Sequence, residues 1–213
     1  MSNPTTPASI GPGEFFPVVG VGPHEKPWPE GAQYDPELLL NGDRRNVLDH
    51  YRYWTVEAIV ADLDSKRHKL QIAIENWQHD LNIGSIVRTA NAFNVSGVHI
   101  VGKRDWNKRG AMVTDRYLTV HHHPTVEDFA VWCKENELPI IGIDNVPGSK
   151  QLESAQLPEK CVLLFGQEGA GMSDEGIAVC EVLYEINQYG STRSMNASAA
   201  GAIAMYHWAL QLL

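Results

Sequence analysis

Val162-Leu163-Leu164-Phe165-Gly166-Gln167-Glu168-Gly169-Ala170-Gly171-Met172-Ser173 runs from unbroken apolar residues through a glycine-rich turn to a serine that can open a helix. An apolar run with no polar alternation, bounded by turn residues, reads as a strand buried on both faces. Four other stretches read the same way: Leu70–Ile74, Val98–Val101, Ile140–Ile143 and Val182–Ile186. Between them Asn82–Phe93, Thr125–Asn136, Ser173–Cys180 and Ser194–Leu212 carry helical patterns. The alternation predicts an α/β fold, a mostly parallel sheet covered by helices on both faces. Ligands of such sheets bind beyond the strand C-termini, which directs attention to the loops after Ile74, Ile143, Phe165 and Ile186.

The rest of the chain is organised around that body. Of the 12 prolines, eight lie in residues 1–36, so residues 1–45 read as a Pro/Gly-rich arm. Its Phe15, Phe16, Trp28 and Tyr34 either dock on something or are incidental. Residues 46–65 read as a helical lead-in, and 66–213 as the main domain. The three cysteines stand 28 and 19 positions apart with no CxxC pair, which disfavours a disulfide framework or zinc site and predicts a reducing, cytoplasmic compartment. The most apolar stretch, Ala197–Leu213, is interrupted by Ser198, His207 and Gln211 and reads as a buried helix, so no membrane span is expected. His121-His122-His123 precedes Pro124 in what reads as a strand end; three adjacent histidines cannot all face one ion, and no metal is expected.

The net charge of −9 argues against coating nucleic acid through bulk electrostatics. Its distribution alters that conclusion: residues 1–60, 61–124 and 125–213 carry −4, +3 and −8. The positive middle includes Lys103-Arg104-Asp105-Trp106-Asn107-Lys108-Arg109, four cations interleaved with an aromatic. These can grip phosphate while Trp106 stacks on a base, or they form a solvated loop.

Three segments can carry chemistry. Asn82-Ile83-Gly84-Ser85-Ile86-Val87-Arg88-Thr89-Ala90 opens a helix after a strand, presenting free N–H groups to an anion, unless Asn82 is only a cap and Arg88 only a surface cation. Residues 165–173 let the backbone pass close to a ligand but match neither nucleotide fingerprint, and a tight turn with a solvated Glu168 stays open. Ile186-Asn187-Gln188-Tyr189-Gly190-Ser191-Thr192-Arg193-Ser194-Met195-Asn196-Ala197-Ser198 leads into a small-residue helix that invites close packing, with Ser194 or Asn196 as alternative caps.

Taken in order, the three segments resemble the SpoU/TrmH family of RNA ribose 2′-O-methyltransferases, of the SPOUT superfamily. The matching residues are Asn82, Gly84 and Arg88, then Phe165, Gly166, Glu168 and Gly171, then Ile186, Gly190, Ser194, Asn196 and Ser198. The chain departs from the family pattern where Asn187-Gln188 replaces Pro-Met and Met195 replaces Leu. The resemblance implies a C-terminal trefoil knot, S-adenosylmethionine as cofactor, tRNA or ribosomal RNA as substrate, and a homodimer. It implies further that Gly166, Ile186, Met195 and the loop after Ile143 line the cofactor. On the same basis Arg88, from the partner chain, meets the target phosphate and hydroxyl while Asn82 and Asn196 position the ribose. Glu168 then orients Arg88 or Asn82, and Ser194 holds the third loop. Lys103, Arg104, Lys108 and Arg109 fall on the RNA side. Competing readings are a non-catalytic RNA- or partner-binding member of this fold and an unrelated phosphate-binding α/β domain.

Overall fold

A computed structural model describes residues 20–78, 82–167 and 169–212, so Phe15 and Phe16 lie outside the described residues. The chain divides into two compact units between Ile59 and Val60.

The first unit is organised by one buried carboxylate. Arg45 donates to Asp43 through Nε at 2.9 Å and through a terminal nitrogen at 2.7 Å, and the Tyr53 N–H adds a bond of 3.0 Å. Burial alone would raise the Asp43 pKa. The Arg45 side chain, the Arg45 and Tyr53 amides and the Arg45 charge together outweigh it and hold the carboxyl at about 2. Around this anchor a short helix, α1 (Pro36–Asn41), starts on an Asp35 cap, and bridges join Val21 to Asp43 and Tyr34 to Trp54. The Pro-rich stretch from residue 20 onward is therefore tied by specific bonds. The lead-in helix expected from Asn46 begins later, as α2 (Val56–Asp64), because a tight turn at Asp49–Tyr51 and a positive φ of 64° at Tyr53 interrupt it.

The second unit holds a seven-stranded sheet. Its strands are β1 (His68–Asn76), β2 (Val95–Gly102), β3 (Val120–His123), β4 (Ile140–Ile143), β5 (Lys150–Gln151), β6 (Cys161–Phe165) and β7 (Val182–Glu185). They lie in the order β3-β2-β1-β6-β4-β7-β5, with every pairing among the described residues parallel. Four helices cover it: α3 (Asn82–Ala92), α4 (Val126–Glu135), α5 (Asp174–Val179) and α6 (Ala197–Leu210). On one face Ile83, Ile86 and Val87 of α3 and Met205 and Trp208 of α6 pack with Leu70, Ile72 and Leu163. On the other, Phe129 and Cys133 of α4 meet Ala73, Val162 and Leu164, with Ile177 and Val179 of α5 packed against them. The five expected strands and four expected helices are all present. β5 is additional, being only two residues long, while the histidine run, which reads as a strand end, lies in the short strand β3. No helix of the described residues is long and apolar enough to cross a membrane.

The histidine run gains a role from strand alternation. His121 and His123 point to one side of β3 and converge on His99 of β2, while His122 bonds the Gly102 carbonyl instead. His99 Nε2–H donates to Gln71 Oε1 at 2.6 Å, which leaves Nδ1 as acceptor for His123 Nε2–H at 2.9 Å. This arrangement requires a neutral ring. Burial, then the neighbouring His121 and His123, push the His99 pKa down to about 2. Above the unfolded-state value near 6.5 the ring is neutral in both states and stability is complete; below it the unfolded chain takes up a proton that the folded ring excludes, so stability falls with falling pH. We expect urea unfolding to show a loss of about 1.4 kcal/mol per pH unit between pH 6 and pH 4 from His99 alone. Equal midpoints at the two pH values would refute it. Among the described residues no cluster of His, Cys, Asp or Glu is arranged to hold a metal ion.

Candidate active site

A cavity of about 550 Å³ opens beyond the C-terminal ends of β4, β6 and β7. Ile143, Gly166, Ile186 and Met195, the four expected cofactor residues, all line it, joined by Asp144, Asn145, Glu185 and Gln188.

The second segment forms one wall. Gln167 and Gly171 exchange backbone hydrogen bonds of 3.1 and 3.0 Å, folding 167–171 into a closed turn in which Gly169 and Gly171 take φ of 88° and 73°. Gly166 has a stricter requirement: a Cβ there would stand 2.2 Å from the Gly171 carbonyl carbon and the Met172 nitrogen. Two carboxylates fix the far side of this turn. Glu75, fully buried at the end of β1, accepts from the Ser173 N–H at 2.8 Å and the Ser173 hydroxyl at 2.5 Å, while Ser173 caps α5 through Gly176. Asp144 accepts from the Met172 N–H at 2.7 Å.

The third segment is held by amides. Asn145 Nδ2 and Gln188 Nε2 donate to the same Arg193 carbonyl at 2.6 and 3.1 Å, and the Asn187 N–H reaches Glu153 at 3.0 Å. Ser194 lines the cavity but makes no side-chain hydrogen bond among the described residues, so the bonds that hold this loop come from Asn145 and Gln188. Asn196 caps α6 through its Oδ1 and donates Nδ2 to Asn82 Oδ1 at 2.8 Å. The first and third segments thus meet at Asn196, which lines the cavity. α6 then packs its small face on α3, where a Cβ on Gly201 would stand 3.4 Å from Ile86.

In the first segment Asn82 starts α3 and is buried, whereas Arg88 is exposed and has no hydrogen bond or ion pair among the described residues. Six residues at 100° each place the two on different sides of the helix, so one chain does not bring Arg88 to the Asn82–Asn196 pair. Gly84 serves packing. Its Cβ would stand 2.8 Å from the Asn107 carbonyl and the Ala111 nitrogen, so only glycine lets the basic loop lie flat on α3. That loop is fixed from below by Asn76, whose Nδ2 donates to the carbonyls of Lys103 and Asp105 at 2.8 and 2.9 Å. Lys103, Arg104, Lys108 and Arg109 all project into solvent, with Lys108 paired to Asp115 at 3.0 Å and lying 5.4 Å from the Trp106 ring centre. Glu168 lies outside the described residues.

The sequence model of the SpoU rRNA Methylase family matches residues 69–206 of this chain. The chain belongs to that family. Among its SpoU relatives, the tRNA (guanosine(18)-2′-O)-methyltransferase of Borreliella burgdorferi is 25% identical over 153 residues, covering 70% of each chain. The Escherichia coli protein of the same name is also 25% identical, over 68% of this chain and 64% of its own length. The fold matches the SpoU methyltransferase AviRb from Streptomyces viridochromogenes, solved in complex with the cofactor AdoMet. The TM-score is 0.62 at 23% identity, over 71% of this chain and 61% of that one.

Glu75 and Asn76 are absent from the sequence-derived site, which included the loop after Ile143 without singling out Asp144 or Asn145 and the third segment without a bond for Gln188. The loop after Ile143 carried a signal only through its place at a strand end. Glu75 and Asn76 carried none, being two of several polar residues in a mixed strand.

Proposed function

We propose that the protein transfers a methyl group from S-adenosylmethionine to a ribose 2′-hydroxyl of tRNA or ribosomal RNA. The observation that carries this reading is the 2.8 Å bond between Asn82 and Asn196, which ties the first segment to a cavity lined by the second and third. The lining suits the cofactor. Ile143, Phe165, Ile186 and Met195 offer apolar surface for a flat purine, and the carboxylates of Asp144 and Glu185 suit a cationic molecule. The size also falls in the usual small-ligand range of roughly 300–1,000 Å³. When bound, the sulfonium supplies an electrophilic methyl group.

The chain's own residues do the positioning. Asn82 and Asn196, locked to each other, form a fixed polar edge for the ribose, and orientation of this kind supplies a large part of the acceleration. Arg88 stays protonated, so its role is to grip the phosphate and stabilise negative charge as the hydroxyl loses its proton. The placement of Arg88 across α3 from Asn82 supports its delivery by a second copy of the chain. Ile203, Tyr206 and Leu210, exposed along α6, support a homodimer. The exposed cations at 103, 104, 108 and 109 support an RNA face on this acidic protein.

The knot is part of the same proposal. The chain after β7 passes the loop after β4 at Asn145, and α6 returns to the 155–158 segment, where Trp208 Nε1 donates to the Pro158 carbonyl at 3.0 Å. Three free thiols, each pushed up to about 12 by burial, suit a reducing cytoplasmic compartment.

The test is transfer of labelled methyl from S-adenosylmethionine to tRNA and, separately, ribosomal RNA from cells lacking the protein. Label is expected in one pool, at a ribose that resists alkaline cleavage. Cofactor binding without label in either pool would favour the non-catalytic reading, and a protein that binds no cofactor would end the methyltransferase reading.

A further inference from the structure

We infer that Asn145 and Gln188 form a clasp that holds the third loop closed and thereby sets the affinity for the cofactor; the inference rests on the function proposed above. Residues 187–196 contain no helix or strand, and Ser191, Thr192, Arg193 and Ser194 are exposed. The loop nevertheless forms the cavity wall that contains Gln188, Arg193, Ser194 and Met195. Two side-chain amides converge on its turn. Asn145 reaches the Arg193 carbonyl from the β4 loop, and Gln188 reaches the same oxygen from the start of the third loop itself. A carbonyl oxygen has two lone pairs, so both donors are accommodated, and the loop is closed on itself and tied to its neighbour at a single atom.

The clasp extends into the second wall. Asp144 accepts its own neighbour's N–H at 2.8 Å through Oδ1 and the Met172 N–H at 2.7 Å through Oδ2, so the Asp144-Asn145 pair links all three walls. This gives a use to the polar Asn187-Gln188 pair, where the chain departs from the family pattern. Gln188 supplies through a hydrogen bond the stiffness of a proline turn, and the Asn187 N–H, which a proline lacks, bonds Glu153. Ordering a loop before binding lowers the cost of binding without altering the reacting geometry, so both amides are positioning residues.

The experiment compares wild type with Gln188→Met, which keeps length and removes the donor, with Asn145→Ala, and with the double variant. Hydrogen exchange on cofactor-free protein reads the clasp directly, and exchange across residues 189–195 is expected to rise at least tenfold in the double variant. Calorimetric titration with S-adenosylhomocysteine should show each single variant binding three- to tenfold more weakly. KM for S-adenosylmethionine should rise in proportion, while kcat at saturating cofactor falls less than threefold. Unchanged exchange in the double variant overturns the clasp whatever the protein's activity. Increased exchange with unchanged affinity overturns its role in cofactor capture. A wild-type protein that binds no cofactor yet shows the exchange difference would remove the proposed function and leave the clasp standing as a loop tether.

Discussion

Arg88→Ala is expected to lower methyl transfer about a hundred- to a thousandfold, the effect of losing one donor aimed at developing charge. Cofactor affinity should not change, because Arg88 is exposed on α3 and is not among the residues lining the cavity. Arg88→Lys should recover little, since an ammonium cannot reproduce the planar fork that binds a phosphate through two parallel bonds. The decisive form of the experiment mixes subunits. A heterodimer of Arg88→Ala with Asn196→Ala contains one site whose cavity comes from the first chain and whose arginine comes from the second. If Arg88 acts across a two-fold interface, two nearly inactive preparations should regain a substantial fraction of wild-type turnover once mixed, refolded and allowed to exchange. No recovery would place Arg88 in the service of its own chain's cavity and remove the composite site.

Gly166→Ala is expected to be the most damaging single methyl in the second unit. The added carbon would meet main-chain atoms of Gly171 and Met172 at 2.2 Å, and backbone cannot rotate away as a side-chain end can. The turn closed by Gln167 and Gly171 must open or shift, and the Asp144 and Glu75 bonds to residues 172 and 173 resist the shift. Overpacking of this kind costs about 3 kcal/mol. In a unit of this size that corresponds to a fall of roughly 6–12 °C in Tm. Cofactor binding should be lost with it, because the displaced turn is one wall of the cavity. Gly190→Ala is the contrast: nothing lies within 4 Å of a Cβ there, so Tm should stay unchanged. If both variants melt alike, the close approach at Gly166 is not what its glycine provides.

The two glycines also show what a sequence can and cannot disclose. Both sit in segments that resemble the family pattern, yet only a structure distinguishes the one that is sterically required. Asn82 and Asn196 were legible as site residues through the family resemblance, since the residues alone offered each equally well as a helix cap. The separation of Arg88 from Asn82 was legible from helical arithmetic. Asn145 was not, since a lone amide after a strand is indistinguishable from any loop residue until its acceptor, 48 positions away, is seen. The end of β3 was legible at the histidine run but the role of its side chains was not: polar residues normally argue against burial, and His121 and His123 are tolerated because His99 and Gln71 provide a hydrogen-bond chain and Trp132 a cover. Asp43 illustrates the same limit in the first unit, where one carboxylate ties a proline-rich stretch that composition alone assigns to an arm.

The position of β1 between β2 and β6 bears on how the molecule is made. Leu70 pairs with Cys161 and Ile74 with Phe165, so the centre of the sheet joins residues some 90 positions apart. A nascent chain can dock β2 on β1 soon after both emerge, but the other edge of β1 keeps its N–H and C=O groups unpaired until β6 is synthesised. At roughly 5–20 residues per second that interval lasts several seconds, during which an apolar strand edge is open to other chains. Contacts of such long range also slow the final closure. The cavity, walled by loops that follow β4, β6 and β7, therefore completes only once residues up to Ala200 have left the ribosome.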